Sequence, residues 1–254
     1  MPNDRRLLLE NRSTIDSSDI PMRAIENAIA KQLRDFADAW GSITWILTRD
    51  LNRQGFRVVL RDYAGDKDAV AEHWRVGGSP TATVYVRDIL RQENGSWTKG
   101  SNSISASVSH EVVEVLADPI ACYYVDGLDD WMYALEVADP VQDDYYNIDG
   151  IAVSNFTYPD YWNPWGRKTR SRKLDHLGRV TRAFEVREGG YLVRYKGRRR
   201  SFVDGPDLSI GRRRAKESKP NGRTRRRLEQ IERVSGLAVK LPPLGGREPR
   251  KRKA

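Results

Sequence analysis

The residues best suited to chemistry lie together in the run SHEVVEVLADP (109–119): His110, Glu111 and Glu114. On a helix, residues four apart sit one above the other. His110 and Glu114 then project from one face at a spacing that suits a single divalent cation. Glu111, one position on, leans to the side of that cation, where it can hold a water molecule and take its proton. This is the arrangement of the His-Glu-x-x-His zinc helix, whose glutamate is the general base toward the metal's water. Here Glu114 stands where that pattern has its second histidine. A carboxylate oxygen binds Zn²⁺ at much the same distance as an imidazole nitrogen, but it is the harder ligand, which brings Mn²⁺ and Fe²⁺ in beside Zn²⁺. A catalytic site needs a third protein ligand and an open position. Glu136, in YALEVADP (133–140), is the first candidate. Asp139 and Asp118 follow, as ligands or as groups that orient one, and His73 and His176 stay open because distance along the chain says little about space. The duller reading is a solvated helix face. Against it, Val108, Val112, Val115 and Leu116 are apolar, and a buried His-Glu-Glu set requires an explanation such as a metal.

These residues need elements to position them. Residues 1–18 read as a polar leader. Ser17, Ser18 and Asp19 are N-cap candidates, Pro21 suits a first helical turn, and Met22, Ile25, Ile29, Leu33, Phe36 and Trp40 recur at helical spacing up to Gly41. ITWIL (43–47) and FRVVL (56–60) are short β-type runs. TATVYVRDIL (81–90) alternates as a strand with one wet face does, just upstream of the His110 helix. QENGSWTKGSNS (92–103) has loop chemistry, and the apolar spacing of Ile104–Ala117 is that of a helix stopped by Asp118-Pro119. FEV (184–186) and YLVRY (191–195) around Gly189-Gly190 read as a hairpin. Beyond Tyr195 periodicity ends, apart from a short helical pattern at 223–234.

The charge is unevenly divided. The 254-residue chain has net charge +9, yet residues 196–254 hold 20 Lys/Arg against 6 Asp/Glu, a net of +14. The remainder holds 24 against 29, a net of −5. An acidic body, 19–195, thus carries a basic extension, 196–254, expected to be extended or ordered on a partner. Such an extension attracts polyanions by counterion release, nucleic acid first and an acidic protein surface second. RNA- and DNA-reading motifs are absent. Mean hydropathy is −0.68, and neither a membrane span nor a secretory signal is visible. The single Cys122 excludes a disulfide framework. A cytoplasmic location is the expectation.

SHEVVEVLADP, followed by YALEVADPVQDDYYNIDGIAVSNFTYPDYWNP (133–164) and DHLGRVTRAFEVREGGY (175–191), resembles an uncharacterised group of zincin-like, metallopeptidase-related proteins, many encoded by phages and prophages. The resemblance spans roughly residues 20–195. It implies an α+β fold, a small mixed sheet with an edge strand plus an active-site helix, with TATVYVRDIL as the substrate-facing edge. It carries over His110, Glu111 and Glu114 and, less directly, Glu136. The implied function is a metal-dependent hydrolase, a peptidase acting on a peptide or protein in the host cytoplasm or virion. The alternative is a virion component or assembly factor with a silent zincin-like fold, docked on virion proteins or nucleic acid by its basic extension. A third reading is a nucleic-acid-binding protein in which the His-Glu pair is incidental.

Other features have duller readings beside sharper ones. Phe156, Tyr158, Tyr161, Trp162 and Trp165 line a cleft or, more simply, pack a loop. Tyr145 and Tyr146 offer hydroxyls to an oxyanion. The Asp126, Asp129, Asp130 and Asp143, Asp144 clusters lack EF-hand spacing and read as solvated acidic loops.

Overall fold

The structure is a computed structural model that describes residues 5–41, 45–47, 56–64, 70–76, 79–119, 123–127, 130–166, 173–196 and 199–206. The helical pattern at 223–234, most of the basic extension, Cys122 and Asp129 lie outside the described residues. The fold is α+β.

A five-stranded sheet runs in the order β2-β1-β3-β5-β4, with β1 Arg5–Asn11, β2 Trp45–Leu47, β3 Phe56–Arg61, β4 Ala71–Val76 and β5 Ser79–Tyr85. Neighbouring strands are parallel except β4, which is antiparallel to β5. The register aligns Leu9, Val58, Ala82 and His73 in one row across the sheet, with Leu60, Val84 and Ala71 in the next row. Residues two apart on a strand share a face, so this apolar face ends in His73. It packs on two helices: α1, Met22–Trp40, buries Ile25, Ile29, Leu33 and Phe36, and a longer-buried helix follows the sheet in the chain.

After β5 the chain makes a short helix, α2 (Val86–Leu90), then α3 (Ile104–Ala117), which packs against both β4 and β5. Ser103 caps α3, its hydroxyl accepting from the Ala106 N–H at 3.2 Å. The rotation of α3 about its axis is fixed by two serines four apart. Ser105 Oγ donates to the Ala152 carbonyl at 2.6 Å, and Ser109 Oγ accepts from the Ser154 N–H at 2.7 Å. With Ser105 and Ser109 bonded to residues 152 and 154, Glu111 and Glu114 meet His73 of β4, and His110 meets Asp139.

A second, antiparallel sheet has the order β11-β10-β7-β6, from β6 Tyr124–Asp126, β7 Met132–Ala134, β10 Tyr191–Lys196 and β11 Arg199–Asp204. Between its halves lies the hairpin of β8 (Tyr145–Ile148) and β9 (Ile151–Ser154), which receives the two α3 serines.

Several expectations are corrected. Residues 5–11 are not part of a polar leader: Leu7, Leu8 and Leu9 are buried in an interior strand. A continuous apolar triplet is what a parallel strand covered on both faces needs. TATVYVRDIL is neither wholly strand nor at an edge. It becomes helix at Val86, and β5 lies between β3 and β4. Thr83 is buried along with Ala82 and Val84, so β5 has no wet face there. The edge is β4, AEHWRV (71–76), joined to β5 across Gly77-Gly78, a two-glycine hairpin signal in the sequence. Residues 184–186 form no strand. β10 pairs instead with β7 and with β11, which lies in the segment expected to lack order.

Candidate metal centre

α3 delivers three of the site residues, and its burial on every side makes their charge costly. Glu111 and Glu114 are almost completely buried; His110 keeps 13% of its side chain exposed. His110 Nε2 lies 3.2 Å from Glu114 Oε1 and 3.3 Å from Asp139 Oδ1. Glu136 and Asp139 come from the segment after β7, where Asp139 opens a 3-10 turn, Asp139–Val141. That segment is held from two sides. Val137 O accepts from Thr157 N and Oγ1, and Pro140 O accepts from Arg187 N. Gly190 packs so tightly there that a β-carbon would stand 2.3 Å from the Pro140 oxygen.

His73 reaches in from β4. Its Nδ1 is 2.9 Å from Glu111 Oε2 and 3.5 Å from Glu114 Oε2, while Nε2 faces Glu136 Oε2 at 3.9 Å. Two groups therefore have donor atoms within 4.8 Å of one another, His73 with Glu111 and Glu114, and His110 with Glu114 and Asp139. Either group could hold a metal ion. Burial alone favours neutral imidazole at His110, but the adjacent Glu114 and Asp139 carboxylates overcome it and push the pKa up from 6.5 to about 10. A cation is wanted there, and in the metal-free protein a proton serves.

Of the residues singled out in the sequence, His110, Glu114 and Asp139 meet directly, Glu111 joins through Glu114 and His73, and Glu136 lies 3.9 Å from His73. Asp118 instead closes the end of α3: its N–H donates to Glu114 O at 2.7 Å, and its carboxylate accepts from Tyr123 N at 2.8 Å. His73 was one of two histidines left open. The signal that selects it is the Gly-Gly pair 77–78 in the sequence; β4 pairs antiparallel with β5, and both pack against α3.

No protein-family model, curated protein or solved structure matches the chain.

Several other candidates have structural roles, while Trp165 and Tyr145 are exposed. Phe156, Tyr161 and Trp162 are fully buried, and Trp162 Nε1 donates to Thr157 Oγ1 at 3.0 Å. Tyr146 OH donates to Asp35 on α1 at 3.4 Å. Asp144 pairs with Arg179 and Arg187. Asn155 and Asp175, from the VSNF and DHLGRV runs, bond each other at 2.7 Å and tie loop N–H groups at Phe156 and Val180. These motif runs build the scaffold behind the centre. No helix among the described residues is long and apolar enough to cross a membrane.

Proposed function

We propose that the protein is a metal-dependent hydrolase of zincin type acting on peptide bonds, with His110, Glu114 and Asp139 holding a divalent cation, Zn²⁺ first and Mn²⁺ or Fe²⁺ as alternatives. The observation that carries this reading is the meeting of those three side chains, Glu114 and Asp139 buried and His110 partly so, with ligand atoms within 4.8 Å of one another and near an edge strand. The donor set fits: one imidazole nitrogen and two carboxylates are the ligand types of hydrolytic zinc and manganese sites. A bound cation would polarise the scissile carbonyl and acidify water. Glu111, adjacent in sequence to His110, would take that water's proton and return it to the leaving amine. His73, 2.9 Å from Glu111, holds this carboxylate in place. β4, the last strand of its sheet, is suited to align an extended peptide by main-chain hydrogen bonds. His110, the partly exposed member, marks the side from which substrate arrives.

The test pairs metal analysis with peptide hydrolysis. His110→Ala should lose the cation at that group and all activity. Glu111→Gln should keep that cation and lose activity by about 10²- to 10⁴-fold. Protein that binds no metal after dialysis against Zn²⁺ or Mn²⁺ would overturn the reading.

The charge division supports a second role beside the first, attachment of residues 196–254 to a polyanion. Because β11 belongs to the second sheet, the informative truncation follows Pro206. Salt-sensitive DNA binding should vanish while the body stays folded; undiminished binding would refute the assignment.

A further inference from the structure

We infer that the cluster is a two-cation centre in which Glu114 is the shared carboxylate. This rests on the metal-site reading above and goes beyond it: one cation suffices for that reading, with Glu111 as base, whereas in the two-cation state Glu111 is a ligand of the second ion rather than the base.

The first support is how Glu114 is placed. Its two oxygens serve different partners: Oε1 stands 3.2 Å from His110 Nε2, and Oε2 stands 3.5 Å from His73 Nδ1. A second carboxylate completes each half, Asp139 at 3.3 Å from His110 and Glu111 at 2.9 Å from His73. Two groups of three donors, one imidazole and two carboxylates each, thus share one residue. Bonds of about 2.1 Å at tetrahedral to octahedral angles put two donors of one ion about 3 to 3.4 Å apart. The separations in both halves, 2.9 to 3.5 Å, bracket that range. A carboxylate reaching two ions with its two oxygens is also the means by which two-metal sites hold ions about 3.5–4 Å apart.

The second support is charge. Glu111, Glu114, Glu136 and Asp139 are all at most 2% exposed, and together they bring four negative charges into one desolvated space. An imidazole that ligates a metal must be neutral. Buried carboxylates are stabilised by divalent cations, and two such ions carry as many positive charges as these four carboxylates carry negative ones.

The third support is Glu136. His73 presents Nδ1 to Glu111 and Glu114 and Nε2 to Glu136. A ligating histidine is commonly oriented by a carboxylate at its other ring nitrogen. Glu136 then positions His73 and is not itself a ligand.

The test is stoichiometry, measured by elemental analysis after the full-length protein is equilibrated with Mn²⁺ or Zn²⁺ and freed of loose metal. Two equivalents in the wild type and one in His73→Ala are expected. One equivalent in both would overturn the two-cation centre and leave the single-site reading intact. No bound metal in the wild type would overturn both. Two equivalents retained in His73→Ala would overturn the assignment of His73. Should that variant not fold, electron paramagnetic resonance of Mn²⁺-loaded wild type decides the matter. The dense hyperfine pattern of an exchange-coupled pair supports the centre; only the isolated-ion pattern at saturation overturns it.

Discussion

Two histidines of this protein occupy partly buried, carboxylate-containing surroundings and respond in opposite directions. His110 lies between Glu114 and Asp139, and its pKa is driven up to about 10. His176 feels two carboxylates, Asp35, whose Oδ2 is 3.9 Å from Nε2, and Asp175, yet its pKa is lowered, by burial first and by Lys173. Phe156 at 5.2 Å and Tyr146 at 4.5 Å flank its ring, and Tyr158 OH lies 3.3 Å from Nδ1. Burial opposes charge at both. At His176 apolar rings take up most of the surroundings and burial wins; at His110 two buried carboxylates win. The closeness and burial of the carboxylates, 3.2 and 3.3 Å from His110, separate a metal centre from a packed histidine, and residue type alone does not.

The largest effect this contrast predicts is in stability against pH. In metal-free protein His110 has a folded pKa of about 10 against 6.5 unfolded. Its contribution is fully present below 6.5 and is lost as pH rises toward 10, at about 1.4 kcal/mol per pH unit across that window. Metal-loaded protein should behave oppositely, because binding displaces the proton and metal affinity rises with pH. Thermal unfolding of chelator-treated and Mn²⁺-loaded protein from pH 6.5 to 10 should therefore diverge steadily. Parallel curves would remove His110 from the metal site.

Dependence on local or remote contacts also decides what is legible in the sequence. The limits of α3 were legible because an apolar run ends at Asp118-Pro119, and α1 because its apolar spacing persists up to Gly41, whose φ of 86° ends the helix. His110, Glu111 and Glu114 were legible because helical spacing alone brings them together. His73 was not selected, since its place depends on β4 folding back on β5 and so on pairing between strands. Asp139 ranked below Glu136 for a similar reason. The turn Asp139–Val141 is set by Thr157 and Arg187, remote in sequence. The three leucines of β1 were masked by charged neighbours, Arg5, Arg6 and Glu10, although consecutive leucines are what an interior parallel strand requires.

The smallest predicted effect concerns His176. Its lowered pKa means that its contribution is present above 6.5 and is lost as pH falls through the folded value. This is the mirror of the His110 limb. Phenylalanine preserves the stacking on Phe156 and Tyr146 and cannot take up a proton. His176→Phe should therefore change stability at neutral pH by less than about 1.5 kcal/mol, within the range of shape-conserving swaps. It should flatten the acid limb below pH 6.5, leaving metal content and the alkaline divergence untouched. Loss of bound metal in His176→Phe would mean the two histidines are coupled, and the contrast between them would no longer be one of separate surroundings.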